Sequence, residues 1–332
     1  MPRLLRFLFS IAALLILVLV FFPKSEARSW GFFGHKRINR MAVFTLPKGM
    51  FGFYKKHIEY ITEHAVDPDK RRYAVEEEAA RHYIDIDHYG PHCFDSVPKF
   101  WKYAVEKFTE DTLQAYGIVP WWIDVMTYRL TEAFREKNID RILRCSADLG
   151  HYVGDAHVPL HTTENYNGQK TNQVGIHGFW ESRVPELLGE QYDYFVGGAK
   201  YIESPVLTAW EIVRVSHAAV DSVLKLEAQL NATTPADRKY AFENRGQNTV
   251  HTYSEEYTKA YSDLLNGMVE RRMCASVITL GSLWYTAWVN AGQPDLEKME
   301  AMEQSDSAKK AEAEAEILWM QKRLKDAKGH DD

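Results

Sequence analysis

The sequence HYVGDAHVPLH occupies residues 151–161 and combines a helical pattern with side chains that bind metals. His151 and Asp155 are four residues apart, which places an imidazole and a carboxylate on one face of a helix, one turn apart. Pro159 is disfavoured inside a continuing helix. We therefore expect His161 just beyond the helix end, where it is free to turn toward a second metal ion.

A second pair of the same kind follows sixteen residues after His161. It is formed by His177 and Glu181 in the sequence HGFWE, again four residues apart and again compatible with a helix. One such pair alone would equally fit a surface ion pair. Two pairs within 31 residues, together with His161, indicate a metal site. Imidazole and carboxylate ligands without thiolates favour zinc, whereas calcium would require more oxygen ligands.

The surrounding sequence predicts a mainly helical body. Apolar and aromatic residues recur three and four positions apart, and strand and hairpin signals are few, so we assign the chain to the all-α class. The segments with this spacing are 102–116, 122–137, 139–153, 206–230 and 252–290. Beyond a helix stop at Gly292-Gln293-Pro294, residues 297–332 are rich in charge and alanine and predict a helical or disordered tail.

Composition limits the class of protein. With 332 residues, 45% of them apolar, the chain can bury a full core and cannot be disordered or collagen-like. Its net charge of −6 argues against a broad basic face that would grip nucleic-acid phosphates. Cys93, Cys145 and Cys274 are too few for a disulfide framework, so we expect buried thiols or at most one bridge.

Residues 1–29 have the layout of a secretory signal peptide. Basic residues precede an apolar run over residues 7–22, and small residues lie at the expected cleavage site. Cleavage after Ser29 would leave Trp30 as the first residue of a protein exported to the periplasm or the extracellular space. The alternative is an uncleaved membrane anchor, although 16 apolar residues fall short of the roughly 17–25 of a spanning helix.

Residues nearer the N-terminus extend the metal-binding pattern. The sequence WGFFGH runs from Trp30 to His35, and His82 in RHYID lies fifteen residues after Asp67. Together with residues 151–181, this set resembles the zinc-dependent phospholipase C and single-strand-specific nuclease superfamily, whose nuclease branch includes the mung-bean-type enzymes. The resemblance implies a helical bundle around a three-zinc cluster, within a catalytic domain that we place at residues 30–296.

The same resemblance implies which residues hold each of the three zinc ions. One ion would be held by Asp67, His82, His151 and Asp155. The second would be held by His161, His177 and Glu181. The third would be held by the free amine and carbonyl oxygen of Trp30, by His35 and by Asp155, which would bridge this ion to the first.

The reaction that the resemblance implies is hydrolysis of a phosphodiester by a metal-bound water or hydroxide, with Asp67 helping to orient or deprotonate this nucleophile. Lys70, three residues after Asp67, is a candidate phosphate contact, and a surface lysine is the alternative. Asp85 and Asp87 are candidate acceptors that would orient ligand imidazoles. His157 points away from the face of the neighbouring ligands, so we expect it behind them or at the surface.

The substrate class stays open between the two branches of the superfamily. The step from Asp67 to His82 resembles the nucleases, which act on single-stranded nucleic acid. Glu181 resembles the phospholipases, because the nuclease branch typically has Asp there; a phospholipid headgroup as substrate would bring transient contact with a membrane surface. Neither branch implies an obligate protein partner. The other class to consider is a non-catalytic, exported zinc-binding or interaction protein, which a metal site with an open position disfavours.

Overall fold

The structure, a computed structural model, describes residues 31–245, 248–299 and 313–314. The predicted all-α class is confirmed, with one small two-stranded sheet added. The helices are α1 Gly31–Ala42, α2 Lys48–Lys56, α3 Ile58–Glu63, α4 Asp67–Arg71, α5 Cys93–Ser96, α6 Trp101–Phe108, α7 Glu110–Ala115, α8 Val119–Arg135, α9 Ile139–His157, α10 Ile176–Gly178, α11 Val184–Leu188, α12 Pro205–His217, α13 Val220–Thr233, α14 Ala236–Lys239, α15 Glu255–Leu264, α16 Met268–Asn290 and α17 Leu296–Met299. The strands are β1 Tyr240–Arg245 and β2 Asn248–Tyr253.

Two of the predicted helical segments match single helices, and three are divided. Segments 122–137 and 139–153 correspond to α8 and α9, and the side chain of Asn138 caps α9 by accepting from the amide of Arg141 at 3.0 Å. Segment 102–116 is divided into α6 and α7 at Thr109, whose φ of 67° cannot continue a helix.

The other two divided segments also break at local signals. Segment 206–230 becomes α12 and α13, and segment 252–290 becomes the end of β2, α15 and α16. Gly267, with a φ of 71°, separates α15 from α16. Glycine adopts this left-handed conformation without steric cost, and it therefore allows the chain to turn between the two helices.

Helix α9 lies at the centre of the molecule and packs against α1, α8, α12 and α16. Its close approach to α1 depends on Gly150, because a Cβ atom there would lie 1.9 Å from Oδ1 of Asn39. The Nδ2 group of Asn39 donates to the carbonyls of Ile61 and Ala147, at 3.1 Å each. This buried amide joins α1, α3 and α9, which brings two of the ligand-bearing helices together.

The hairpin of β1 and β2 pairs Tyr240 with Tyr253 and Glu243 with Val250. It is attached to the helical body through Arg183, whose Nε donates to the carbonyl of Tyr253 at 3.0 Å. The guanidinium of Arg183 also binds both carboxylate oxygens of Glu243. The hairpin is therefore held against the segment that follows α10.

Several sequence predictions fall on residues that the structure does not describe. The signal peptide at residues 1–29, the proposed ligand Trp30 and most of the tail at 297–332 lie outside the described residues. None of the helices among the described residues has both the length and the hydropathy of a membrane-spanning segment. The three cysteines are free thiols, and Cys93 and Cys145 are buried.

Candidate metal centre

Three groups of buried histidines and carboxylates lie close together, where α1, α4 and α9 approach the segment 176–183. Within each group the potential ligand atoms lie within 4.8 Å of one another. The groups are His82, His151 and Asp155; His161, His177 and Glu181; and His35, Asp69 and His151.

The first group is built on α9, as the four-residue spacing predicts. Nδ1 of His151 donates to the carbonyl of Ala65 at 2.8 Å, so Nε2 is the ring nitrogen left to bind a cation or a proton. That Nε2 lies 3.3 Å from Oδ2 of Asp155 and 3.1 Å from Nδ1 of His82. Two imidazole nitrogens and one carboxylate oxygen therefore face a common point.

The second group begins where α9 ends. Pro159 starts a short 3₁₀ turn, Pro159–Thr162, which carries His161 past the helix end as predicted. Nε2 of His161 lies 3.2 Å from Oε2 of Glu181, and Nε2 of His177 lies 3.1 Å from the same oxygen. The two Nε2 atoms are 3.2 Å apart.

The segment that holds Glu181 differs from the regular helix expected. Helix α10 is followed by a π-helical turn, Phe179–Arg183, before α11 begins. A π turn adds a residue to the helical repeat and is often found at functional sites. Arg183 at its end is fixed to Glu243 and Tyr253, so tertiary contacts support this conformation.

The third group brings His35 of α1 to the same centre. The rings of His35 and His151 are stacked, with centroids 3.8 Å apart. Nε2 of His35 lies 3.4 Å from Oδ1 of Asp155. Gly154 leaves room for this ring, because a Cβ atom there would lie 3.1 Å from Nδ1 of His35.

Asp155 is the carboxylate that all three groups approach. Its Oδ2 lies 2.9 Å from Nδ1 of His82, while its Oδ1 lies 3.4 Å from His35 and 4.0 Å from Nε2 of His161. The side chain is completely buried. This placement is the one expected of a residue that bridges ions.

The structure brings Asp69 to the centre, a residue that neither the sequence spacing nor the resemblance indicated as a ligand. Oδ1 of Asp69 lies 3.5 Å from Nε2 of His151 and 3.8 Å from Nδ1 of His82. Asp67 is directed elsewhere: its Oδ2 binds Nδ1 of His64 at 2.6 Å, and its Oδ1 lies 3.4 Å from Nζ of Lys70. His82 follows both Asp67 and Asp69 at similar distances along the chain, so spacing alone does not choose between the two aspartates.

The remaining predicted residues lie around this centre. Lys70 is partly exposed beside Asp67. His157 is buried behind the ligands, and its Nδ1 donates to the carbonyl of Val153 at 2.7 Å. Asp87, expected to orient an imidazole, instead accepts from the hydroxyl of Thr163 at 2.7 Å and from the amide of Glu164. It therefore holds the loop that follows His161.

Burial and neighbouring charges have opposite effects on the pKa values of these groups. Burial lowers the pKa of His82 to about 4, so this imidazole is neutral. Burial also opposes a charge on His151, but Asp155 and Asp69 overcome this effect and raise its pKa to about 9. Although burial would raise the pKa of Glu181, His177 and His161 hold it well below its ordinary value. Ionised carboxylates in a buried site attract cations.

The donor atoms fit bound cations. Because Nδ1 of His151 and Nδ1 of His161 each donate to a backbone carbonyl, at 2.8 Å in both cases, Nε2 is the ring nitrogen that faces a carboxylate oxygen. This arrangement is repulsive unless a cation or a proton lies between the two atoms. Oδ1 of Asp69 and Oδ1 of Asp155 are buried, and neither accepts a hydrogen bond among the described residues. The residues therefore fit the metal ions that the sequence predicts.

Comparison with known families agrees with this geometry. The model of the family described as S1/P1 Nuclease matches residues 30–290. The chain belongs to the S1/P1 nuclease family. This family is part of the phospholipase C/nuclease superfamily, so the resemblance seen in the sequence is confirmed. A comparison with curated proteins found no match.

Membership of the S1/P1 nuclease family supports a metal-dependent phosphodiester hydrolase. The match begins at Trp30, five residues before His35, and includes every residue of the three groups. The centre described above is therefore part of the family's own domain and does not lie in an added segment.

Proposed function

We propose that this chain is an exported, zinc-dependent nuclease that hydrolyses single-stranded nucleic acid. The observation that carries the proposal is the meeting of three buried imidazole and carboxylate groups on Asp155, in a chain that matches the S1/P1 nuclease family over residues 30–290. Imidazole and carboxylate ligands without thiolates suit zinc.

In this proposal the three groups together hold three zinc ions, and Asp69 and His151 of the third group serve the first ion. His82, His151 and Asp155 bind the first ion, with Asp69 as the second carboxylate in place of the predicted Asp67. His161, His177 and Glu181 bind the second ion. His35, Asp155 and the terminal amine and carbonyl of Trp30 bind the third ion.

The charge of the centre suits a phosphodiester substrate. Three zinc ions would carry six positive charges, whereas Asp69, Asp155 and Glu181 return three negative ones. When bound, zinc ions lower the pKa of a water molecule toward neutrality and stabilise negative charge on the oxygens of a phosphoryl group. Hydrogen bonds to backbone carbonyls, from His151 to Ala65 and from His161 to His82, fix the orientation of the ligand imidazoles.

One residue favours the phospholipase branch as the second candidate. Glu181 ends the second ligand pair, where the nucleases typically have Asp. The family match weighs more heavily, because it covers most of the chain, but the two activities need to be compared directly.

The test offers one zinc-loaded preparation three substrates in parallel: single-stranded DNA, double-stranded DNA and phosphatidylcholine vesicles. We expect rapid release of nucleotides from single-stranded DNA, much slower release from the duplex and no release of phosphocholine. A chelator should abolish the activity and added zinc should restore it. The variant Asp155→Asn controls for contaminating nucleases and should be at least 100-fold less active, since Asp155 faces all three groups.

Other results would lead to other conclusions. Release of phosphocholine without nucleotides would overturn the nuclease proposal and place the chain with the phospholipases. If protein that holds three zinc ions releases neither product, this result would favour the non-catalytic alternative. Intact mass of the exported protein checks the N-terminus, and a chain that retains residues 1–29 would contradict the role of Trp30.

A further inference from the structure

Glu78 is a buried carboxylate behind the first ligand group, and the ligand sets above do not use it. The three glutamates in its 3₁₀ turn, Glu76–Arg81, differ in environment: Glu76 and Glu77 are exposed, whereas Glu78 is 1% exposed. A buried carboxylate is costly unless it is paired. We therefore expect Glu78 to have partners that compensate its buried charge.

Those partners are present on two sides of the carboxylate. The hydroxyl of Tyr152 donates to Oε1 of Glu78. Nη1 of Arg81 donates to Oε2 at 2.6 Å, and Nε of Arg71 lies 3.6 Å from the same oxygen. Glu78 is thus held in one orientation by a phenol and two guanidinium groups.

In that orientation the carboxylate faces the back of His82. Oε1 of Glu78 lies 3.8 Å from Nε2 of His82. On the other side of the ring, Nδ1 lies 2.9 Å from Oδ2 of Asp155 and 3.8 Å from Oδ1 of Asp69. A neutral imidazole can bind a metal through Nδ1 only when its proton is on Nε2. When a cation lies between Nδ1 and these two carboxylates, the negative charge of Glu78 on the Nε2 side favours that tautomer.

The same network reaches two other segments that carry ligands. Arg71 lies two residues after Asp69, and it binds Asp148 with Nη1 at 3.2 Å and Nη2 at 2.8 Å. Asp148 lies three residues before His151 on α9, and Tyr152 directly follows His151. Glu78, Arg71, Asp148 and Tyr152 therefore connect the backbone segments of His82, Asp69 and His151.

We propose that Glu78 is a positioning residue of the metal centre, whose carboxylate holds His82 as the Nε2–H tautomer and directs Nδ1 toward the metal ion. The role of a carboxylate behind a ligand imidazole is to fix its tautomer and increase its basicity. This inference rests on the proposed function for the presence of the metal ion and is independent of the substrate.

The first test compares Glu78→Gln with Glu77→Gln. Glutamine keeps the shape of the buried side chain and an oxygen that can accept from Tyr152, but it removes the charge; the exposed Glu77 provides a matched control in the same turn. Zinc affinity, measured by competition with a chromogenic chelator, should fall about 10–100-fold at one site in Glu78→Gln. It should be unchanged in Glu77→Gln. Parental affinity at every site in a folded Glu78→Gln protein would overturn the proposal.

A second measurement remains informative if Glu78→Gln does not fold. Nitrogen-15 NMR of histidine-labelled, zinc-loaded parent protein reports which ring nitrogen of His82 carries the proton and which binds zinc, with His82→Gln used to assign the signals. We expect the proton on Nε2, and a proton on Nδ1 would overturn the proposal. The variant Glu78→Asp retains the charge at a greater distance, so its zinc affinity should lie between those of Glu78→Gln and the parent.

These readouts separate this inference from the proposed function. If the parent binds no zinc, the proposed function fails, and the role of Glu78 toward the metal ion fails with it. If the parent binds zinc and Glu78→Gln binds it equally well, only the inference on Glu78 fails. If the parent binds zinc but does not cleave nucleic acid, both experiments on Glu78 keep their meaning.

Discussion

Asp67 and Asp69 lie two residues apart in α4, and their side chains have different surroundings. The oxygens of Asp67 bind His64 and approach Lys70, at the partly exposed edge of the centre. Oδ1 of Asp69 is buried and faces two ligand imidazoles, those of His151 and His82. Residues two apart in an α-helix point about 200° apart, on nearly opposite sides, so one of the two must point away from the centre.

We therefore predict different effects of the same substitution at the two positions. Asp69→Asn should weaken zinc binding at one site by at least about tenfold, because the amide removes a negative ligand from a buried site. Asp67→Asn should keep its full zinc content. Metal content of both variants, measured by mass spectrometry after buffer exchange, checks this prediction. Loss of zinc from Asp67→Asn with retention in Asp69→Asn would restore Asp67 as the ligand.

At the scale of elements, the centre depends on how closely α1 and α9 approach each other. His35 on α1 and His151 on α9 stack at a centroid distance of 3.8 Å. This contact requires a side chain no larger than hydrogen at Gly150, where Oδ1 of Asn39 occupies the space of a Cβ atom. Any increase in the distance between the helices would separate ligands of the third group.

We predict that Gly150→Ala destabilises the protein by about 1–3 kcal/mol, since the methyl group displaces Asn39 from its buried hydrogen bonds. Gly52→Ala is the matched control, because Gly52 also lies in a helix but a Cβ atom there would have no neighbour within 4 Å. It should stabilise the protein by about 0.5–1 kcal/mol. Chemical denaturation of the three proteins measures both effects. Equal stability of Gly150→Ala and the parent would contradict the close packing of α1 on α9.

At the scale of the whole molecule, the metal ions are expected to hold distant segments together. The ligand groups join residues from His35 to Glu181, which lie in helices, in or directly after 3₁₀ turns, and in a π turn. Nε2 of His151 lies 3.3 Å from a carboxylate oxygen of Asp155, and Nε2 of His161 lies 3.2 Å from one of Glu181, so a shared cation can bind both atoms of each pair. Zinc binding should therefore contribute to the stability of the complete fold.

We predict that removal of zinc lowers the melting temperature by on the order of 10 °C, which corresponds to a few kcal/mol of binding energy in a protein of this size. Differential scanning calorimetry with and without a chelator measures the change, and re-addition of zinc should reverse it. The chelator already saturated with zinc serves as the control for non-specific effects. An unchanged melting temperature in metal-free protein would contradict a structural contribution of the ions.

The sequence by itself determined the helical class, the ends of α8 and α9 within a few residues, and most of the candidate ligands. It could do so because these features are local: the pitch of a helix aligns His151 with Asp155, and Pro159 ends the helix before His161. The likeness to the superfamily placed His35 and His82 in the same set, and the family match confirms that likeness. Trp30 and the signal peptide stay predictions.

The tertiary structure alone decided which of two aspartates faces the histidines, where a π turn replaces regular helix, and which glutamate is buried behind His82. Asp67 and Asp69 have the same chemistry and nearly the same place in the chain, so only the neighbours that each one meets distinguish them. The same holds for Glu77 and Glu78, because burial depends on Tyr152, Arg71 and other residues distant in sequence. Local spacing fixes directions along one helix, whereas the choice among equivalent side chains is made by packing between helices.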